Sequence, residues 1–164
     1  MTRMFLLLLA LTCCWVCANG QPRSGDPAAA KTQKTETTRR RAVKLEGSTP
    51  NGLFSAAIVA RDLVFTSGQI GIDSKTGQLA EGGIEGQTEQ VFRNLAAVLD
   101  AAGSSTEHIL KATVFLADMA DYNAMNELYR KHFKGDPPAR TTVAVAALPR
   151  NARIEIEAIA IKKD

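Results

Sequence analysis

The chain has 164 residues, of which 45% are hydrophobic and 23% charged, and its formal net charge is +3. These proportions fit a globular protein with one domain of ordinary size, and they exclude a wholly disordered chain, a collagen and a protein with several membrane spans. The charge is uneven: residues 19–44 carry seven basic and two acidic side chains, net +5, and residues 45–164 carry 12 basic and 15 acidic ones, net −3. An acidic domain does not favour nucleic-acid binding, which needs a basic patch on the fold.

The first 18 residues have the pattern of a secretory signal peptide. A basic start at Arg3 precedes an uncharged apolar run from Phe5 to Val16, which is too short to span a bilayer comfortably. We expect cleavage near Ala18 and a secreted or periplasmic mature chain; an uncleaved membrane anchor and an organellar location are the alternatives. All three cysteines lie in this segment, so the mature chain would have no disulfide and no thiolate nucleophile or metal ligand.

Residues 19–43 contain almost no large apolar side chain and are rich in Gln, Pro, Arg, Lys, Thr, Ala and Gly. Such a segment buries too little surface to offset the entropy of ordering it, so we interpret it as a disordered basic linker. Its basic triplet, residues 39–41, favours a solvated spacer or a second processing site over contact with an anionic surface. The remaining residues, 44–164, are predicted to form one folded domain.

This domain is predicted to be of the α+β class, with strands and helices in the order ββαβαββ. The strands, recognised by β-prone or alternating runs, cover residues 55–60, 63–69, 110–117, 139–148 and 152–161. The first helix runs from about residue 84 to 102 and stops at Gly103, and the second lies between Asp118 and Gly135. The apolar stripe of the second helix consists of Tyr122, Met125, Tyr129 and Phe133.

The layout predicts a tight hairpin and an uncovered sheet face. Arg61-Asp62 separates the first two strands in the manner of a two-residue turn. Both helices would pack on one side of the sheet. The residues expected on the other side are apolar and small, so we predict oligomerisation through that face.

Sequence patterns for metal or cofactor sites are missing. His108 and His132 have no acidic or cysteine partner at ligand spacing and are expected to be exposed. The glycines at 82, 83 and 86 lack the spacing and the preceding strand of a dinucleotide-binding fingerprint, and no nucleophile elbow occurs. We therefore predict no metal and no cofactor.

Arg140 opens a predicted strand that otherwise consists of small and β-branched residues. On strict alternation it shares a face with Thr142, Ala144 and Ala146, so no local anion balances a guanidinium that cannot lose its proton. One interpretation is a structural ion pair or a solvated edge arginine. The other is a fork that binds the carboxylate of a substrate through two parallel hydrogen bonds.

Glu155 and Glu157 share one face of the last predicted strand. They are either two solvated carboxylates or a pair of which one acts as a general base or orients water. If the last two strands formed a simple hairpin about Arg150, Glu155 would face Val145. It would then lie about 16 Å from Arg140, at ~3.3 Å per residue, which is too far for one small substrate to touch both.

Three motifs together resemble the RidA/YjgF family of imine deaminases. They are TSGQI at residues 66–70, PART at residues 138–141, and LP at 148–149 leading into IEIEA at 154–158. The similarity runs from about residue 50 to residue 162. It implies a chorismate-mutase-like α+β fold with a mixed sheet and two helices on one face, in which the final strand is inserted between earlier strands. It also implies a homotrimer whose sheets form a central barrel, with a cleft between each pair of subunits.

The resemblance further implies cofactor-independent hydrolysis of reactive 2-imino acids to 2-oxo acids and ammonia. The substrates would be 2-aminoacrylate, 2-iminopropanoate and 2-iminobutanoate. Arg140 would clamp the substrate carboxylate and Glu155 would orient the attacking water, so that positioning supplies most of the acceleration. The backbone of Gly68 would hold the imine end, and Asn126 would reach the cleft from the second helix.

Two positions of the expected substrate site depart from the family pattern. Phe54 stands where a tyrosine is common, so a hydroxyl that could bind water is lost. Thr142 stands where a cysteine or a small residue is common. The alternatives are a non-catalytic trimeric binder of small carboxylates or 2-oxo acids, and a ribonuclease or translation inhibitor, which the acidic domain disfavours. The expected partners are thus a small imino acid and further copies of the chain, with no nucleic acid and no membrane for the mature chain.

Overall fold

A computed structural model of the chain describes residues 40–45 and 53–163. The predicted signal peptide and residues 19–39 of the predicted linker lie outside this part. The strands are β1 Arg40–Val43, β2 Ala57–Ala60, β3 Leu63–Thr66, β4 Gln69–Ile70, β5 Ile109–Leu116, β6 Ala139–Ala144 and β7 Ile154–Ile161. The helices are α1 Gly83–Ala102 and α2 Tyr122–Tyr129. Neither helix is both long enough and apolar enough to cross a membrane.

The strands form one mixed sheet in the order β1-β2-β3-β7-β5-β6, with β4 also paired to β7. β5 and β6 run parallel, and the other described neighbours run antiparallel. β7 follows β6 in the chain but lies between β3 and β5. A hairpin of the last two strands is therefore wrong, and the insertion of the final strand that the family resemblance implies is confirmed. The α+β class and the element order are confirmed as well, with β1 and the short β4 added.

The hairpin of β2 and β3 is confirmed at the predicted turn. Arg61 adopts a left-handed φ of 56°, and Ala60 pairs directly with Leu63 across the two-residue turn. A left-handed backbone in a turn of this length matches the twist of the strands that it joins. The local sequence therefore sets the register of this corner of the sheet.

Strand β1 covers the end of the segment whose composition predicts a linker. It pairs antiparallel with β2, with Val43 opposite Ala57, and Val43 is buried while the arginines before it are exposed. The open edge of β2 satisfies the backbone polar groups of this segment without much apolar burial. The predicted linker boundary at residue 43 is thus corrected, because residues 40–43 belong to the sheet.

Helix α1 packs on the sheet through the predicted apolar stripe. The stripe is fully buried and consists of Val91, Leu95, Val98 and Leu99. Gly103 ends the helix with a φ of 81°, and its N–H donates to the carbonyl of Asp100. A glycine adopts this left-handed conformation at little cost, so the predicted stop is confirmed.

Helix α2 is shorter than the predicted stretch, because a 3₁₀ turn precedes it and another follows it. Asp118 caps the first turn by accepting a hydrogen bond from the N–H of Ala120. Asp121 is buried and accepts two hydrogen bonds from the guanidinium of Arg153, with Nε 2.9 Å from Oδ2. This pair ties the start of α2 to the residue that precedes β7.

The sheet face away from the helices is uncovered in the single chain. Register places on it a set of large apolar and polar side chains, namely Ile58, Phe65, Lys111, Thr113, Phe115, Val143, Glu157 and Ile159. Phe65 is 40% exposed. The prediction of small apolar residues on this face is therefore wrong. Strand β6 ends at Ala144, so the small residues that follow it do not contribute to the face.

Candidate active site

Arg140 lies near the start of the edge strand β6, on the sheet face that the helices cover. It pairs with the buried Ala112 of β5, so its side chain points toward α2. Its guanidinium carbon lies 4.5 Å from the ring centroid of Tyr129 and 5.8 Å from that of Tyr122. Its Nη1 lies 4.0 Å from the sulfur of Met125. Among the described residues, no carboxylate lies at ion-pair distance from this half-buried guanidinium.

Glu155 lies on the central strand β7, opposite Phe115 of β5 and Ile70 of β4. It packs against Gly68 so closely that a Cβ atom added there would lie 1.8 Å from Oε1 and 2.6 Å from Cδ. Burial raises the pKa of the Glu155 carboxyl above its ordinary value, and the neighbouring Glu157 carboxylate adds to this effect. A carboxyl tuned in this direction exchanges a proton more readily near neutral pH.

Arg140 and Glu155 lie on opposite faces of the sheet. Arg140 shares the face of Ala112, whereas Glu155 shares that of Phe115, and residues an odd number apart along one strand face opposite ways. The register also places Val143 level with Glu155, so the two groups are offset by three residues, roughly 10 Å along the strands. One small ligand does not bridge both groups of the same chain. The five-residue offset expected from a hairpin is therefore wrong, because β7 pairs with β5 and not with β6, and it is the opposite sheet faces that keep the two groups of one chain apart.

Two further predicted site residues lie on the side of Arg140. Thr142 is two residues along β6, opposite the buried Val114, and its Oγ1 is buried without a hydrogen-bond partner in the described part of the chain. Asn126 is half-buried on α2, one helical turn from both Tyr122 and Tyr129. We call Arg140, Thr142 and Asn126 the arginine half-site.

Of the other two predicted site residues, Gly68 lies against Glu155, and Phe54 is next to Ser55, which is hydrogen-bonded to the neighbour of Gly68. Gly68 lies directly against the carboxyl, because the carboxyl occupies the space that a side chain at this position would fill. Phe54 is 68% exposed in the segment before β2. Ser67 directly precedes Gly68, and its hydroxyl donates a hydrogen bond to the carbonyl of Ser55 at 2.7 Å, which joins the two segments. We call Glu155, Gly68 and Phe54 the glutamate half-site.

The aromatic surroundings of Arg140 were not predicted as part of a site. The sequence indicates Tyr122, Met125 and Tyr129 only as an apolar stripe, and their spacing of three and four residues does place them on one helix face. Tyr129 is 5% exposed, and its hydroxyl has no hydrogen-bond partner among the described residues. Burial raises the pKa of Tyr129 to about 12, although the positive charge of Arg140 acts in the opposite direction. A tyrosine beside an unpaired arginine was the available signal, but the sequence does not say which strand the stripe faces.

The histidines do not form a metal site. Across residues 40–45 and 53–163, no three His, Cys, Asp or Glu side chains are grouped so as to hold an ion. His132, expected to be exposed, instead stacks on Phe92 with 3.9 Å between the ring centroids. Its Nε2 lies 3.4 Å from Oε2 of Glu89. It is therefore a packing residue of the aromatic cluster around α2.

The fold and the site together define a class of small α+β proteins that have two helices on one face of a mixed sheet. Beside these helices lies an arginine that makes no ion pair with a carboxylate of the described residues. Comparison of sequences gives the family. Residues 46–162 match the family model described as Endoribonuclease L-PSP. The chain therefore belongs to this family, which is the RidA/YjgF family that its motifs resemble.

Individual relatives agree with this assignment. The chain is 48% identical over 114 residues to a RutC family protein of Pyrococcus horikoshii, covering 70% of this chain and 90% of that protein. It is 44% identical over 111 residues to the human protein named 2-iminobutanoate/2-iminopropanoate deaminase, covering 68% and 81%. The crystal structure of the Rid family protein YyfA of Yersinia pestis aligns with a TM-score of 0.71 at 40% identity, covering 74% and 98%.

Proposed function

We propose that the protein hydrolyses reactive 2-imino acids, and the enamines that equilibrate with them, to 2-oxo acids and ammonia. The observation that carries this proposal is the half-buried guanidinium of Arg140, which no carboxylate of the described residues neutralises. A cation in such a position favours a ligand that brings its own carboxylate. The 44% identity to a relative named as an imine deaminase supports the same ligand class. The candidate substrates are 2-aminoacrylate, 2-iminopropanoate and 2-iminobutanoate.

The chemistry needs a held carboxylate, one water and one group that moves a proton. Arg140 binds the carboxylate through two parallel hydrogen bonds and fixes the electrophilic C2 carbon. As the water oxygen bonds to C2 and the π bond of C=N breaks, Glu155 takes one proton from the water and passes it to nitrogen, which gives a carbinolamine. Glu155 then takes the hydroxyl proton as the carbonyl forms, and passes it to nitrogen as the C–N bond breaks. The products are the 2-oxo acid and ammonia, so water is the only co-reactant. The raised pKa of Glu155 suits a group that must both accept and donate, and the backbone of Gly68 holds the imine end.

The cleft in this proposal lies between copies of the chain. The two half-sites of one chain lie on opposite sheet faces, so the arginine half-site of one copy must meet the glutamate half-site of the next. The uncovered sheet face supports association through the sheet. A cyclic homotrimer repeats one boundary three times and so makes three equal clefts. Thr142 and Asn126 would line each cleft from one side and Phe54 from the other.

A coupled assay tests the reaction. A serine dehydratase supplies 2-aminoacrylate, and the release of pyruvate is followed with and without the protein. We expect the protein to accelerate release, and Arg140→Ala to lower kcat/KM by about 100-fold, because two charge-assisted hydrogen bonds are lost. No acceleration, or an unchanged rate for Arg140→Ala, would contradict the proposal.

A mixture of two inactive variants tests the shared cleft. Arg140→Ala keeps an intact glutamate half-site, and Glu155→Gln keeps an intact arginine half-site. If each cleft takes its halves from different copies, co-refolded equal mixtures recover about one quarter of wild-type activity, since one boundary in four joins two intact halves. If both halves acted within one chain, the mixture would stay as inactive as each variant refolded alone.

A non-catalytic binder of 2-oxo acids is the second candidate function, and Phe54 favours it. A phenyl ring at this position has no hydroxyl to hold the attacking water. Saturable binding of 2-oxobutanoate without turnover of any imine would support this candidate. The family description also names an endoribonuclease, and steeply salt-dependent binding of RNA would support that activity against the net charge of −3 that residues 45–164 carry.

We also propose that the chain carries a cleaved signal peptide, on the basis of its first 18 residues. The mature protein would then meet imino acids in a secreted or periplasmic location. N-terminal sequencing of the protein from its native source checks this. A start near residue 19 is expected, and an intact Met1 would contradict it.

A further inference from the structure

Aromatic rings, rather than an acid, surround the guanidinium of Arg140. The ring of Tyr129 lies 4.5 Å from the guanidinium carbon, within the range of a cation–π contact, and Tyr122 lies at the outer limit of that range at 5.8 Å. Among the described residues, the closest polar contact of this guanidinium is the weak acceptor sulfur of Met125, 4.0 Å from Nη1. The chain therefore stabilises this cation by means of rings that carry no charge.

An acid and a ring have opposite consequences for ligand binding. A carboxylate partner accepts hydrogen bonds in the plane of the guanidinium, where the carboxylate of a ligand must bind. An aromatic ring attracts the cation through its face and leaves the in-plane N–H donors free. A ring thus holds Arg140 without competing with the ligand.

The ring of Tyr129 is itself held firmly. Phe92 packs edge-on against it with 5.5 Å between centroids, and Phe133 lies 4.9 Å away. The hydroxyl of Tyr129 makes no hydrogen bond to any described residue, so the contact with Arg140 is made by the ring alone. Burial raises the pKa of Tyr129 to about 12, so no phenolate forms near neutral pH to pair with the arginine.

We propose that Tyr129 is a positioning residue for imine hydrolysis, whose ring face, with a smaller contribution from Tyr122, fixes the Arg140 guanidinium while its in-plane donors stay free for the carboxylate of the ligand. The inference rests on the proposed function, which makes Arg140 the carboxylate-binding group. It assigns the effect to the electron-rich face of the ring and not to the hydroxyl. A residue of the same shape with a reversed ring quadrupole would therefore weaken the binding of the ligand carboxylate by Arg140.

Two shape-matched replacements test the inference. Tyr129→Phe keeps the ring face, and pentafluorophenylalanine incorporated at position 129 keeps the ring shape but reverses the charge distribution of its face. Pentafluorophenylalanine at position 133 is the control, because Phe133 packs on Tyr129, and among the described rings the cation–π contacts of Arg140 are with Tyr122 and Tyr129. Tyr129→Leu removes the ring altogether and is compared where it folds.

The readouts are KM and kcat for 2-iminobutanoate and the Kd of 2-oxobutanoate by calorimetry. We expect Tyr129→Phe and the position-133 control to match the wild type. The fluorinated ring at position 129 should raise KM and Kd by about 3- to 30-fold and change kcat by less than about twofold. Equal effects at positions 129 and 133, or a loss on Tyr129→Phe, would overturn the inference.

A measurement without ligand separates this inference from the proposed function. The ring of Tyr129 should shift the NMR signals of the Arg140 side chain, and this shift should persist in Tyr129→Phe and disappear in Tyr129→Leu. If the shift is seen and the fluorinated ring weakens oxo-acid binding, but no imine is turned over, the proposed catalysis fails, and what stands is that Tyr129 positions Arg140 for the carboxylate of a bound oxo acid. If turnover depends on Arg140 but neither the shift nor the Kd responds to residue 129, the positioning role fails and the proposed function stands.

Discussion

The two half-sites hold opposite charges by opposite means. Arg140 lies on an edge strand, and the rings of Tyr122 and Tyr129 on α2 stabilise its charge without neutralising it. Glu155 sits on the central strand, and the missing side chain of Gly68 makes room for its carboxyl. Burial makes the charged form of Glu155 costly, so this group is ready to take a proton. The comparison teaches that the cation is built to bind and the carboxyl to exchange.

The largest effect is expected at Gly68, because the glutamate half-site needs the space left by its missing side chain. Gly68→Ala places a Cβ 1.8 Å from Oε1 of Glu155, so the carboxyl must move away. A displacement of about 1 Å at a reacting group costs about 100-fold in kcat/KM, measured in the coupled pyruvate assay. Gly135→Ala is the control, since a Cβ there has open space around it. Wild-type activity in Gly68→Ala would show that the carboxyl does not need its present position.

The next effect concerns the contact that links the two halves within one chain. Asp121 immediately precedes α2, Arg153 lies two residues before Glu155, and their paired hydrogen bonds join these elements. Asp121→Asn removes the charge from a buried partner and should lower the free energy of unfolding by about 1–2 kcal/mol in urea titrations. Asp118→Asn makes the same chemical change at an exposed cap, where asparagine serves equally well, and should cost less than about 0.5 kcal/mol. Equal losses in both variants would contradict a role for the pair.

A smaller, pH-dependent effect should distinguish Glu155 from an ordinary surface carboxyl. Its pKa in the folded protein is raised above the ordinary 4.5, so the native state binds the proton more tightly than the unfolded state. The contribution of this proton to the free energy of unfolding is fully present below the pKa of the unfolded state, and it is lost as the pH rises through the pKa of the folded state. Glu155→Gln should therefore gain stability over the wild type as the pH rises from about 4 toward neutrality, where thermal unfolding is measured. A gain that shrinks with rising pH would contradict the sign.

The smallest effect is expected at the ring under Arg140. The hydroxyl of Tyr129 is buried without a partner among the described residues, and its removal deletes an unsatisfied polar group. Tyr129→Phe should keep or raise the free energy of unfolding, by up to about 1 kcal/mol in urea. Tyr122→Phe, at an exposed ring, should leave it unchanged. A clear loss in Tyr129→Phe would show that the hydroxyl is bound after all, for example across a subunit boundary.

The arginine half-site shows how far prediction from sequence reached. Arg140 stood out because its own strand offered no anion, and the structure adds none from the described residues. Thr142 followed from alternation along the same strand. The rings of Tyr122 and Tyr129 were predicted only as part of an apolar helix face, because residue spacing shows which side chains share a face but not which strand that face packs against.

The glutamate half-site was less accessible to such reasoning. Its motifs were found through resemblance to a family, but its geometry depends on β7 lying between β3 and β5. Adjacent strands in the chain usually form hairpins, and that expectation failed here. The contact of Gly68 with Glu155 joins residues far apart in sequence, so no local pattern announces it.

By itself, the sequence determined what neighbouring residues decide: the turn at Arg61, the stop at Gly103, the alternation that puts Glu155 and Glu157 on one face of the last strand, and the class of the fold. Only the tertiary structure decided the order of the strands, the addition of β1 to the sheet, and the opposite faces of Arg140 and Glu155. The physical reason is that turns, caps and periodicity follow from local backbone energetics. Strand order follows from which distant surfaces bury each other best, and that balance is a property of the whole chain.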